Sequence, residues 1–90
     1  NIKIDLNKLS IKKKMEQFKI NNTEKIILDK MINSPGEIFS RNYIGNLIDI
    51  DKERSIDVII TRLRKKIELD PKKPKYLQTI RGSGYVLWIE

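Results

Sequence analysis

The stretch RSIDVIITRLRKKIE, Arg54 to Glu68, holds the side chains best suited to reading an anionic polymer. Taken as an α-helix at about 100° per residue, it puts Arg54, Val58, Thr61, Arg62 and Lys65 on one face. Arginine offers a planar fork of donors that matches guanine edges, and a branched aliphatic such as Val58 matches thymine methyl groups. Lysine supplies a point charge for phosphate. The same pattern also describes an ordinary amphipathic helix with a solvated charged side, and the helix by itself leaves both readings open. A second candidate is Arg81, beside Gly82-Ser83. An arginine on a projecting turn suits a narrow minor groove, and exposed turns also carry arginine for solubility alone.

Other chemistries are excluded by what the chain lacks. There is no His and no Cys, so the usual zinc sites, Cys–His pairs and Ser–His–Asp triads cannot be built, and no disulfide framework exists. Asp49, Asp51 and Glu53 crowd one loop, but the spacing lacks the Gly and distal Glu of a calcium-binding loop. The Gly82-x-Gly84 pair opens no helix and has no Lys-Ser/Thr tail, so it is not a phosphate loop. The expectation is a binding domain with no enzyme activity, no metal and no cofactor.

Charge sharpens that expectation. The net charge is +7, and it is uneven: residues 1–53 hold ten Lys/Arg against eight Asp/Glu, whereas residues 54–90 hold nine against four. The excess sits with the candidate helix and turn, which favours nucleic acid or another anionic surface. No apolar run approaches the ~20 residues that span a bilayer, and no basic region followed by an apolar block marks a signal peptide. A cytoplasmic location is expected.

These side chains need a frame. Ninety residues suit one small domain. Ile56, Ile60, Leu63 and Ile67 recur at core-facing helical spacing behind the basic face, with Ile59 flanking them. Ahead of this helix, Ile2, Ile4 and Leu6, then Leu9 and Ile11, then Met15 and Phe18 to Ile20, read as three short strands, with Glu16-Gln17 as the turn before the third. The run Lys12, Lys13, Lys14 reads as a solvated sheet edge. Asn21 and Glu24 have the spacing of a capping box. Ile27, Leu28, Met31 and Ile32 follow at helical spacing, and Pro35-Gly36 ends that helix. Ser40 caps a second helix whose apolar side is Tyr43, Ile44, Leu47 and Ile48, with Gly45 either weakening it or permitting close packing. Past the central helix, Asp70 to Lys75 is a proline-broken loop. Tyr76–Ile80 and Tyr85–Ile89 read as a hairpin closed by a two-residue type II′ turn at Gly82-Ser83. The expected order is β-β-β-α-α-α-β-β: an α+β fold in which the last two helices form a helix-turn-helix and the hairpin is a wing.

Taken in order, Asn21-x-x-Glu24-x-x-Ile27-Leu28, SPGEIFSR at 34–41, RSIDVIITRLRKKIE and YLQTIRGSGY at 76–85 resemble the OmpR/PhoB-type effector domain of bacterial two-component response regulators. The resemblance runs from about Leu9 to Trp88. Each piece alone is weak, and the ordered set is specific. It implies a winged helix-turn-helix with an added N-terminal antiparallel sheet, sequence-specific binding of double-stranded DNA and transcription regulation. The central helix would enter the major groove and the wing the adjacent minor groove. The loop Asp49, Ile50, Asp51, Lys52 and Glu53 would meet RNA polymerase.

Residue by residue, the resemblance implies phosphate contacts for Arg54 and Ser55 and base-facing positions for Asp57, Val58 and Arg62. It places Thr61, Arg64 and Lys65 beside backbone or base edges, and gives wing contacts to Thr79, Arg81 and Tyr85, with Arg81 in the minor groove. The chain departs from the pattern at Ile59, where the family often has His; at Lys25, where an aromatic usually packs; and at Thr61, where many members have a longer basic side chain. Further implied partners are a second copy bound head-to-tail on direct repeats, a receiver domain and a sensor histidine kinase. Ninety residues hold no receiver domain, and the chain is read as an excised effector domain.

Overall fold

The computed structural model describes residues 2–88. Its elements run β1 (Ile2–Asp5), β2 (Ser10–Lys13), β3 (Glu16–Lys19), α1 (Asn22–Ile32), β4 (Ile38–Phe39), α2 (Arg41–Ile48), α3 (Glu53–Ile67), β5 (Leu77–Ile80) and β6 (Gly84–Leu87). Two three-stranded antiparallel sheets, ordered β1-β2-β3 and β4-β6-β5, flank the helices. The expected winged helix-turn-helix is present, with one strand added.

Local chemistry accounts for most boundaries. The Asn21 side chain accepts from the Glu24 amide at 2.8 Å, and Glu24 accepts from the Asn21 amide at 3.0 Å, the reciprocal cap that opens α1. The Ser40 hydroxyl caps α2 by accepting from the Tyr43 amide at 3.0 Å. Gly45 permits close packing: a Cβ there would lie 2.4 Å from the Ile50 carbonyl oxygen and 2.9 Å from Ile56 Cδ1. That approach lets α2 turn tightly into α3. Ile56, Ile60, Leu63 and Ile67 form the buried side of α3 and meet Ile11, Leu28, Ile44, Leu77 and Leu87 in one core.

Four expectations are corrected. The turn before β3 is at Lys14-Met15, with Lys14 in the left-handed region at φ 54°; Glu16 and Gln17 lie in β3, paired with Lys13 and Lys12. Met15 is 97% exposed at that turn, so its apolar side chain misled the strand pattern. The second correction is β4, a two-residue strand too short for any periodicity, which pairs with β6 through Ile38↔Val86 and Phe39↔Tyr85. Third, the hairpin closes over three residues, since Ile80 pairs with Gly84. The Ser83 amide donates to the Ile80 carbonyl, and Gly82 has φ +78°, as the third position of a type II turn requires. Ile89, placed in the hairpin by its sequence, lies outside the described residues.

The fourth concerns Lys13. Its strand β2 is central in its sheet, not an edge, and Lys13 is buried. Its Nζ donates to the Lys65 carbonyl at 3.0 Å and the Glu68 carbonyl at 2.7 Å. A cation at the carbonyl end of α3 satisfies orphan acceptors and complements the helix dipole.

Candidate nucleic-acid interface

α3 presents its outer face to solvent because its inner face is anchored on several sides. Arg54, Val58, Thr61, Arg62 and Lys65 are all exposed, Val58 by 43%. No ion-pair partner for Arg54, Arg62 or Lys65 is found among the described residues. The Thr61 hydroxyl donates to the Asp57 carbonyl at 2.8 Å. Ser55 is half-buried in the first turn, and Arg81 is exposed in the wing turn. α3 differs from α1 and α2 at its start: Lys52 provides no side-chain cap, and although the Ser55 amide donates to the Lys52 carbonyl at 3.0 Å, the Glu53 and Arg54 amides are left for solvent or an anion.

Three other residues named from the sequence, Asp57, Arg64 and Tyr85, are turned inward, and Thr79, though exposed, is bonded to Arg64. Asp57 receives Arg41 Nε at 3.0 Å, lies 2.9 Å from Arg41 Nη2, and accepts a short hydrogen bond from the Tyr85 hydroxyl. Burial, ahead of this hydrogen bond, pushes the Tyr85 phenol above its ordinary value. Arg64 donates to the Leu77 carbonyl at 2.8 Å and to the Thr79 hydroxyl at 2.5 Å, with its guanidinium carbon 5.6 Å from the centre of the Tyr85 ring. So Asp57, Arg64, Thr79 and Tyr85 link α2, α3 and the wing. Sequence reasoning missed Arg41. The one signal available was its place in the first turn of a helix adjoining α3, with Asp57 the nearest inward carboxylate.

An open groove of about 310 Å³ lies between the start of α2 and the wing, lined by Ser40, Arg41, Asn42, Glu53, Thr79 and Gly82 among others. In the loop read as a partner surface, Asp49, Asp51 and Lys52 are exposed. Asp49 ends α2 in the left-handed region at φ 60°, and Ile50 packs against the core. Glu53 belongs to the first turn of α3 and lies 3.5 Å from Arg41 Nη1.

A three-helix core with a helix-turn-helix, an outward basic helix face and a β-hairpin wing defines a winged-helix DNA-binding domain. The chain belongs to the family of C-terminal domains of transcriptional regulatory proteins, whose model matches residues 15–87. It is 33% identical over 95 residues to the protein PetR of Rhodobacter capsulatus, covering 96% of this chain and 40% of that protein. The DNA-binding domain of the response regulator AdeR, solved in complex with an intercistronic region, is 31% identical, with coverage of 98% and 94% and a TM-score of 0.74. The Thermotoga maritima OmpR/PhoB homologue DrrB is 30% identical over 97% of this chain and 41% of that one, with a TM-score of 0.84. The chain thus spans about 40% of the length of PetR. Among the described residues no helix is long and apolar enough to cross a membrane.

Proposed function

We propose that this domain binds a specific duplex sequence with α3 in the major groove and Arg81 in the neighbouring minor groove, as the output domain of a two-component response regulator. The observation that carries it is the pairing on α3 of exposed Arg54, Arg62 and Lys65, which have no ion-pair partner among the described residues, with the exposed aliphatic Val58. A solvated face has no need of an apolar side chain at its centre, whereas a base-reading face does. Arg54, Ser55 and the uncapped first turn hold phosphate, Arg62 reads guanine, Val58 reads thymine, and Lys65 anchors on the backbone. Asp57 and Tyr85, tied to Arg41, hold the frame.

The remaining partners are those the family resemblance implies. The domain would bind direct repeats head-to-tail with a second copy. Asp49, Asp51 and Lys52 would face RNA polymerase. In the whole protein a receiver domain, phosphorylated through a sensor histidine kinase, would control the output in the cytoplasm.

The test is a binding selection from random duplex DNA, followed by titrations of the selected operator and its point variants at two salt concentrations. Arg62→Ala is expected to cost roughly 1–3 kcal/mol and relax preference at one base pair. Lys65→Ala is expected to weaken all sequences alike and lower the salt slope by about one contact. If both substitutions act uniformly across sequences, the face is a non-specific electrostatic handle. If neither acts, it is merely solvated.

A further inference from the structure

The resemblance places Arg64 beside DNA, yet its guanidinium is engaged within the domain. Nε and Nη2 grip the Leu77 carbonyl and the Thr79 hydroxyl, and the group lies over the Tyr85 ring. Just past the end of α3, the Glu68 carboxylate accepts from the amides of Lys75, Tyr76 and Leu77. Glu68 therefore fixes the point where β5 begins, and Arg64 fixes a second point two residues along it. Two points define a direction. β5 is an edge strand, hydrogen-bonded to β6 on one side only, so its sheet braces its lean relative to α3 from one side alone. A planar fork with two donors holds an angle that a single ammonium cannot.

We propose that Arg64 is a positioning residue: through Nε and Nη2 it sets the angle between α3 and the wing, so that Arg81 and the outer face of α3 meet one duplex together. This rests on the reading of α3 and the wing as the two DNA-contacting parts.

The chain has no Cys, so spin labels can be placed at will. With labels on Thr61→Cys and Ser83→Cys, both exposed positions, the distance distribution between α3 and the wing turn is measured without DNA. Arg64→Lys, which keeps the charge, is expected to broaden it, and Thr79→Val, which removes only the hydroxyl acceptor, to do so less. In operator titrations Arg64→Lys is expected to lose about tenfold in affinity with the salt slope unchanged, and Thr79→Val to add nothing in the Arg64→Lys background. An unchanged distance distribution in both variants overturns the proposal. So does full affinity in Arg64→Lys together with a salt slope lowered by about one contact in Arg64→Ala, the behaviour of a direct phosphate ligand. Arg62→Ala and Arg81→Ala are the controls: if they too leave binding intact, the DNA reading itself fails, while the distance measurement still decides the role of Arg64.

Discussion

The two sides of α3 use the same residue types for opposite ends. Arg62 and Lys65 project into solvent with no partner among the described residues, whereas Arg64 and Lys66 are committed to the domain: Arg64 to β5, and Lys66 to the Lys19 carbonyl and the buried Glu24 carboxylate, each at 2.8 Å. Adjacent positions on a helix differ by about 100°, so a basic run such as RLRKK necessarily alternates between outward and inward faces. Charge density alone therefore says little about which cation meets a ligand. What separates them is the neighbour each direction offers: water on one side, sheet carbonyls and carboxylates on the other. The comparison makes a sharp claim, that substitutions on the inner side change stability or the placing of the wing, and those on the outer side change direct contact with DNA.

The largest effect on the inner side is expected at Glu68. This buried carboxylate accepts from three successive amides, Lys75, Tyr76 and Leu77, between 2.7 and 3.0 Å. Glu68→Ala leaves those donors unpaired, the Leu77 amide fully buried, and a buried unmade hydrogen bond costs about 1–3 kcal/mol. Destabilisation of roughly 3 kcal/mol or more is expected in urea unfolding. Arg62→Ala is the mirror image, with an unfolding free energy within about 0.5 kcal/mol of wild type. A destabilised Arg62→Ala, or a stable Glu68→Ala, would erase the distinction between the two sides.

Lys13 sharpens the same comparison from outside the helix. It lies across the C-terminal end of α3 on two carbonyls, 52 and 55 residues away in sequence, and lies over the Phe18 ring at 5.0 Å. Lys13→Met keeps the length of the stem and removes both charge-assisted bonds. A loss of roughly 1.5–3 kcal/mol is expected, against almost none for Lys12→Met or Lys14→Met on the exposed side. If all three lysines behaved alike, the run would be the solvated edge that its sequence describes.

That example shows where legibility ended. Local signals were readable: the Asn21–Glu24 box, the Ser40 cap, the stop at Pro35-Gly36 and the stripe Ile56, Ile60, Leu63, Ile67 depend on neighbours within a few turns. The outer face of α3 was readable for the same reason, since helical period alone separates Arg62 and Val58 from the core. The inward commitments of Lys13, Arg64 and Asp57 were not, because each depends on a partner from another element. β4 was hidden because two residues carry no period, and it exists through pairing with β6.

The smallest expected effect lies where the two sides meet. The Tyr85 hydroxyl donates to Asp57 beneath the outer face, and burial, more than this bond, raises the phenol above its ordinary value. Tyr85→Phe leaves Asp57 with Arg41 and is expected to cost roughly 1 kcal/mol at neutral pH. The folded state holds the phenolic proton more tightly than the unfolded chain, whose tyrosine titrates near ~10. Below that pH both states are protonated, and the stability due to Tyr85 is fully present. As pH rises past it the unfolded chain releases the proton first, so this stability is lost through to the raised folded value. The gap between wild type and Tyr85→Phe in urea unfolding is therefore expected to narrow above about pH 10, and using the difference between the two proteins cancels the lysines that titrate in the same range. A gap that widened with pH would mean that the folded state favours the phenolate, as it would if Arg41, rather than Asp57 and burial, governed the hydroxyl.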